Sequence, residues 1–141
     1  MTGAAPVLHA TCVAFGSRGV LILGPSGAGK SALALQLMAL GAALVADDRV
    51  QVTASGDTLT ATAPPGLPTL IEARGIGLLH APLQAAARVV LAIDLGQAET
   101  VRLPPQRRMN LHDVAVELVL GPVTGHFPAA IRHYVLSGRK E

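Results

Sequence analysis

The chain has 141 residues, of which 50% are apolar and 2% are aromatic, and its formal net charge at pH 7 is +2. This length suits one hydrophobic core, so we expect a single domain over residues 1–141. Few aromatic side chains are available for base stacking, and the arginines are too scattered to follow a phosphate backbone, so the composition argues against a nucleic-acid partner.

The composition also bears on location. The single cysteine, Cys12, cannot form an internal disulfide, and no basic, cleavable leader is recognisable, so we expect a cytoplasmic protein. The apolar run over residues 31–46 is interrupted by Gln36 and Gly41 and is shorter than the ~20 residues that cross a bilayer. We interpret it as a buried helix followed by a buried strand, and we expect no membrane partner.

The residue pattern over residues 7–46 predicts a hairpin, a loop, a helix and a strand, in that order. Residues 7–15 and 20–23 are rich in apolar and β-branched side chains and are separated by the turn sequence "GSRG". Residues 31–40 have a helical composition that Gly41 ends, and residues 42–46 form a short apolar strand.

The loop before this helix carries a nucleotide-binding motif. "GPSGAGKS" satisfies G-x-x-x-x-G-K-[ST] and lies between an apolar strand and a helix, which is the context that the motif requires. Backbone amides of such a loop surround phosphates, its lysine reaches the β- and γ-phosphates, and its serine hydroxyl binds Mg²⁺. The predicted nucleotide-binding residues are Gly24, Pro25, Ser26, Gly27, Ala28, Gly29, Lys30 and Ser31.

The second part of the chain predicts more strands, a loop and a closing helix. Residues 50–53 and 58–62 alternate in polarity around a turn and predict a second hairpin, and "ARVVLAIDLG" is typical of a fully buried strand. Residues 97–110 are polar, basic and contain prolines, so we expect a mobile loop there. Residues 114–120 predict a strand and residues 128–137 a helix.

Two places offer an aspartate for the metal. Asp94 follows a long apolar run, as in a common P-loop enzyme, whereas Asp47 and Asp48 follow the strand directly after the P-loop helix. Consecutive residues on an extended chain point in opposite directions, so the pair is expected to divide its roles. One carboxylate would accept a proton from an incoming hydroxyl, and the other would bind a magnesium water or the backbone.

Three further side chains are candidate site residues because of their positions in the sequence, namely His9, Glu72 and Arg74. His9 precedes the loop by one hairpin and is interpreted as a partner of Asp47, although an ordinary strand histidine fits the same pattern. Glu72 and Arg74 in "IEARGIG" place an acid and a base two residues apart on a strand-like segment. An exposed salt bridge of little energetic value would explain the same pair.

Four separated motifs together resemble one family. "LHATCV", "GPSGAGKS", "LVADDRV" and "IEARGIGLL" occur in the order seen in the catalytic domain of HPr kinase/phosphorylase, and the resemblance covers about residues 8–95. It implies an α/β fold of the phosphoenolpyruvate carboxykinase-like P-loop type, with a mixed β-sheet, flanking helices and a hairpin before the P-loop. It also implies the short form of the family, without an amino-terminal regulatory domain.

The resemblance implies an enzyme, a Mg-ATP-dependent protein serine kinase that phosphorylates the phosphocarrier protein HPr and also dephosphorylates it by phosphorolysis. Asp47 resembles the catalytic base, with His9 as its support and Lys30 on the phosphates. The residues implied at the metal are Ser31, Asp48 and Glu72, and those at the mouth of the active site are Arg74 and Gly75.

Some features depart from this pattern and leave alternatives open. Ala32 stands where the long form has an acidic residue, and neither residues 97–110 nor the tail from Gly121 match, so Arg102, Arg107 and Arg108 are candidates for a basic substrate contact. A small-molecule kinase or generic NTPase that uses Asp94 is one alternative, and a non-catalytic ATP-binding sensor domain is another. The closing helix is compatible with a homo-oligomeric contact or with the core.

Overall fold

The computed structural model describes residues 6–66 and 68–141. The strands in these residues are β1 (Val7–Leu8), β2 (Ala10–Phe15), β3 (Arg18–Leu23), β4 (Ala43–Ala46), β5 (Val50–Ser55), β6 (Thr58–Thr62), β7 (Ile71–Ala73), β8 (Gly77–Leu79), β9 (Ala86–Ala98), β10 (Arg107–Leu111) and β11 (Val114–Gly121). The helices are α1 (Lys30–Ala39) and α2 (Phe127–Ser137). None of the helices in this part of the chain is long and apolar enough to cross a membrane.

One mixed sheet dominates the fold. Its strands run in the order β1-β5-β6-β9-β3-β2-β4, and β11 pairs with β9 and with β10, while β7 and β8 form a separate hairpin. Strand β3 pairs antiparallel with β2 and parallel with β9. The predicted hairpin before the P-loop and the predicted hairpin of β5 and β6 are both confirmed.

The sheet buries both of its faces. Along β2, Ala10, Cys12 and Ala14 belong to one hydrophobic cluster, and Val13 and Phe15 belong to the other. Successive side chains of a strand point to opposite faces, so a strand between two cores reads as a continuous apolar run. Both helices pack on the face that includes Val13 and Phe15.

The predicted mobile loop over residues 97–110 is partly wrong. Strand β9 continues through Ala98, and residues 107–111 form β10, which pairs with β11 through Arg107↔Leu118 and the following positions. The polar, exposed side chains of β10 obscured the strand in the sequence, because β10 lies at the edge of the sheet and keeps one face in solvent. Asp94 therefore lies within a strand rather than at its end.

Helix α2 is attached to the rest of the fold by polar contacts. Arg18 Nη1 donates to the carbonyl oxygens of Val135 at 2.8 Å and Leu136 at 3.1 Å, at the end of the helix. Tyr134 Oη donates to Glu117 Oε1 at 2.8 Å, and burial, together with this carboxylate, raises the pKa of Tyr134 to about 12. Arg132 Nε donates to the carbonyl of Leu40, just beyond α1, at 3.1 Å.

The Arg18 contact leads to a prediction about stability. The last turn of α2 contains no basic side chain of its own, so Arg18 supplies the cation that the carbonyl end of a helix favours. We expect Arg18→Gln to lower the free energy of unfolding by about 1 kcal/mol, measured by urea denaturation. Arg102→Gln removes an exposed arginine in a loop and serves as the control. Equal stabilities of the two variants would contradict the role of Arg18.

Cys12 leads to a prediction about reactivity. Burial raises the pKa of the Cys12 thiol to about 12, so the thiol stays protonated at neutral pH in the folded chain. In the unfolded chain the thiol returns to a pKa of about 8.5, and stability is therefore lost progressively above that pH. We expect a thiol-directed disulfide reagent at pH 8 to leave the native chain unmodified and to modify it in urea. Rapid native labelling would contradict this.

Candidate active site

The P-loop of residues 24–31 forms a tight turn between β3 and α1. Gly29, with φ 98°, precedes α1 as its N-cap in the left-handed region that favours glycine. At Gly24 an added Cβ would lie 3.2 Å from the Ala28 Cβ, so the loop closes tightly there. Lys30 is buried, and its Nζ donates to the carbonyls of Gly24 at 2.8 Å and Pro25 at 3.1 Å. These contacts hold the ammonium beside the loop.

The carboxylate of Asp47 accepts hydrogen bonds from three secondary-structure elements. Its Oδ1 accepts from Ser31 Oγ and from Thr11 Oγ1, each at 2.7 Å, and its Oδ2 accepts from the backbone N–H of Glu72 at 3.1 Å. Ser31 belongs to α1, Thr11 to β2 and Glu72 to β7. Both oxygens of the half-buried carboxylate are therefore engaged, one of them by the P-loop serine.

Asp48 has different surroundings, because the chain turns sharply there. Its φ of 69° lies in the left-handed region, so its side chain leaves in a different direction from that of Asp47. Asp48 Oδ1 lies 2.9 Å from His9 Nε2, and the two side chains are 70% and 53% exposed respectively. A carboxylate only accepts, so the imidazole N–H is the donor. The predicted pairing of His9 with Asp47 is wrong.

The hairpin of β7 and β8 forms a wall of the site. A cavity of about 350 Å³ is lined by His9, Lys30, Ser31, Asp48, Glu72 and Arg74, among others. Ser31, Asp47, Asp48 and Glu72 also line an adjoining cavity of about 690 Å³. Arg74 lies in the turn after β7, and Gly75 lines a third cavity, of about 420 Å³, along the same hairpin. The three cavities share Glu72 as a lining residue, so many of the predicted site residues lie around neighbouring cavities beside the P-loop.

Asp94 is engaged within its own strand. Its Oδ1 accepts from the backbone N–H of Gly96 at 2.8 Å, and its Oδ2 accepts from Gln97 Nε2 at 2.7 Å. Its carboxylate therefore bonds within β9, next to the point where the pairing of β9 with β11 shifts register, whereas the P-loop serine bonds to Asp47.

The predicted basic residues have different environments. Arg107 donates to Glu99 through Nε at 2.8 Å and through Nη2 at 3.0 Å, and this contact lowers the pKa of the Glu99 carboxyl. The guanidinium of Arg107 is therefore committed to a structural pair. Arg102 and Arg108 are exposed.

The donor set around Ser31 fits a magnesium ion bound together with a nucleotide. Within residues 6–66 and 68–141, no three His, Cys, Asp or Glu side chains are arranged to hold a metal by themselves. Mg²⁺ with a nucleotide needs no such cluster, since it keeps several waters and uses phosphate oxygens with one or two protein ligands. A serine hydroxyl beside a carboxylate is the pair that P-loop enzymes provide.

Thr11 is a site residue that the sequence reasoning missed. It lies two residues after His9, within residues 7–15, for which the sequence predicts one strand, so alternation along that strand is the available signal. That signal is weak without knowledge of the neighbouring strand. Only the pairing of β2 with β4, through Cys12↔Ala46, brings Thr11 beside Asp47.

Comparison with known proteins agrees with this geometry. The sequence profile of the HPr Serine kinase C-terminal domain matches residues 3–100. The chain is 39% identical over 120 residues to HPr kinase/phosphorylase of Caldicellulosiruptor bescii, covering 79% of this chain and 38% of that protein. It is 34% identical over 154 residues to the protein of the same name from Chromobacterium violaceum, covering 94% of this chain and 48% of that protein. The chain thus spans less than half the length of these curated relatives.

A solved structure has the same fold. The Hpr(Ser) kinase/phosphatase from Coxiella burnetii superimposes with a TM-score of 0.76 at 25% sequence identity, covering 92% of this chain and 88% of that chain. The expected α/β fold, a mixed sheet with flanking helices, is confirmed. The chain belongs to the HPr serine kinase C-terminal domain family.

Proposed function

We propose that this chain is a Mg-ATP-dependent protein serine kinase that transfers the γ-phosphoryl group of ATP to a serine of HPr. Family membership supports the reaction class, and the relatives' names support HPr as the acceptor. The proposal includes the reverse reaction, in which inorganic phosphate takes the phosphoryl group from phosphoserine and leaves as pyrophosphate. Both directions need the same in-line arrangement of acceptor, phosphoryl group and leaving group.

The observation that carries the proposal is the exposed carboxylate of Asp48, which faces the P-loop cavity and is held by His9 at 2.9 Å. A kinase needs a carboxylate that can accept the proton of an incoming hydroxyl. Asp48 is open to a protein acceptor. Asp47 is half-buried and has both oxygens engaged by Ser31, Thr11 and Glu72.

We therefore assign the two aspartates the reverse of the roles that the resemblance implied. Asp48 is the base that orients the serine hydroxyl and takes its proton, and His9 keeps that carboxylate in place. Asp47 lies on the metal side, because it accepts the hydrogen bond of the P-loop serine. The contact between Ser31 and Asp47 at 2.7 Å supports this division.

The remaining groups bind and orient the triphosphate. The amides of the loop surround its phosphates, and the Nζ of Lys30 is positioned to turn from the loop carbonyls toward the β- and γ-oxygens. Ser31 and Asp47 would hold the magnesium ion, which neutralises the charge of the phosphates when bound. Glu72 and Arg74, on the wall of the cavity, would contact the metal waters and the acceptor respectively.

The direct experiment is to incubate the purified chain with labelled ATP, Mg²⁺ and HPr and to locate the label. Phosphoserine on HPr supports the proposal. Release of free phosphate alone would identify an NTPase, and nucleotide binding with neither product would identify a sensor domain. Either of these results contradicts the proposed function.

Asp48→Asn tests the base. The amide keeps the size of the side chain but cannot accept the proton, so we expect kcat for transfer to HPr to fall about 100-fold or more. The affinity for Mg-ADP should stay near that of the wild type, as measured by calorimetry. Transfer at the normal rate would remove Asp48 from this role.

Asp47→Asn tests the metal side. Its loss of charge beside Ser31 should raise the Mg²⁺ concentration for half-maximal activity about tenfold, because a ligand-orienting carboxylate has been neutralised. Asp94→Asn is the matched control, since its carboxylate bonds only within its own strand, and we expect nearly normal turnover. A large loss of turnover in Asp94→Asn, together with normal turnover and Mg²⁺ dependence in Asp47→Asn, would favour a generic P-loop NTPase.

A further inference from the structure

We propose that Thr11 is a positioning residue that holds Asp47 on the metal side of the site, and that Thr11 and His9 together keep the two aspartates apart. This inference rests on the proposed function only in that it needs a Mg²⁺-dependent nucleotide site. It concerns one hydroxyl, the Oγ1 of Thr11.

The burial of Thr11 is the first observation. Within the part of the chain that the structure describes, the buried polar or charged side chains are Thr11, which is 0% exposed, and Lys30. Burying a hydroxyl is unfavourable unless it is hydrogen-bonded, so a buried threonine in an apolar strand needs a partner. The hydrogen-bond partner of Thr11 is the carboxylate of Asp47, and that of Lys30 is a carbonyl oxygen of the P-loop.

The geometry at Asp47 is the second observation. Thr11 and Ser31 share Oδ1, each at 2.7 Å, so the carboxylate is held from β2 as well as from the P-loop. The two donors differ in stiffness. Thr11 is β-branched and lies in a strand that is buried along its whole length, so its χ1 angle is restricted. Thr11 is therefore the fixed point against which Asp47 is oriented.

The turn at Asp48 is the third observation. The backbone N–H of Asp48 points to Thr11 Oγ1 at 3.5 Å, so the same hydroxyl adjoins both aspartates. Asp48 adopts the left-handed conformation that L-residues avoid, and this turn separates the two carboxylates. His9, two residues before Thr11, contacts the carboxylate of Asp48. Within residues 9–11, His9 thus contacts the carboxylate of Asp48, and Thr11 contacts the carboxylate of Asp47.

Removing the hydroxyl should loosen mainly the metal side of the site, because the contact with the backbone of Asp48 is long, at 3.5 Å, and His9 still contacts the carboxylate of Asp48. Without it, Asp47 keeps the hydrogen bonds from Ser31 and from the backbone of Glu72 but loses the donor on the stiff strand. The P-loop amides and Lys30 are unchanged, so nucleotide binding without Mg²⁺ should not be affected. The loss should appear in the response to Mg²⁺.

The test compares Thr11→Val, Thr11→Ala and Thr11→Ser by titrating Mg²⁺ against the binding of a fluorescent ADP analogue. Mg²⁺ should enhance the binding of the analogue. We expect the Mg²⁺ concentration that gives half of this enhancement to rise about tenfold in the valine and alanine variants. The affinity without Mg²⁺ should be unchanged, and Thr11→Ser, which keeps the hydroxyl but loses the β-branch, should fall between the wild type and Thr11→Ala. Serine and alanine differ only by the hydroxyl, so this comparison remains informative if the valine variant folds poorly.

Thr60→Val is the matched control, because it removes a threonine hydroxyl from a half-buried position in β6. We expect it to leave the Mg²⁺ titration unchanged. A merely structural threonine would lower the melting temperature of the Thr11 variants without moving their Mg²⁺ titration, and that result would overturn the proposal. So would a serine variant that behaves like the alanine variant.

The Mg²⁺ titration tests the inference about Thr11 separately from the proposed function, because the titration uses no acceptor protein. A wild-type chain that binds Mg-ADP but does not phosphorylate HPr overturns the proposed acceptor and leaves the inference about Thr11 standing. Normal transfer to HPr, combined with Thr11 variants that have an unchanged Mg²⁺ response, overturns only the inference about Thr11.

Discussion

The carboxylate of Asp47 accepts hydrogen bonds from three parts of the chain that are distant in sequence, namely Thr11, Ser31 and the backbone of Glu72. A buried or half-buried carboxylate is costly unless its lone pairs are engaged, so these contacts constrain one another. They fix the P-loop helix relative to β2 and bring the hairpin of β7 and β8 against the site. Thr11, Ser31 and Glu72, which these contacts join, all line the cavity beside the P-loop.

The order of the strands explains why the site assembles there. Strand β2 lies between β3, which leads into the P-loop, and β4, which leads into the aspartates. The residues that precede and begin β2 are therefore neighbours of both the loop and the acidic pair. This is the structural consequence of the hairpin before the P-loop, and it supplies His9 and Thr11 as side chains that contact Asp48 and Asp47.

Sequence reasoning was most successful where local chemistry decides the structure. The glycines and lysine of residues 24–31, the hairpin turns and the P-loop helix follow from backbone preferences and short-range periodicity. The failures have physical causes too. The sequence predicts a loop where β10 lies, because an edge strand with one solvated face carries little apolar signal. The sequence also pairs His9 with Asp47, because strand alternation does not anticipate a left-handed residue at Asp48.

By itself the sequence determined the family, the nucleotide loop and the fact that two adjacent carboxylates follow it, since these depend on residue identity and spacing. The tertiary structure alone decided which of the two carboxylates bonds to the P-loop serine and which contacts His9. That choice depends on a sign change of φ at Asp48 and on the hydroxyls of Ser31 and Thr11, which reach Asp47 only after β2, β4 and α1 have packed together. Hydrogen bonds between residues distant in sequence leave no periodic pattern, so they become visible only in three dimensions.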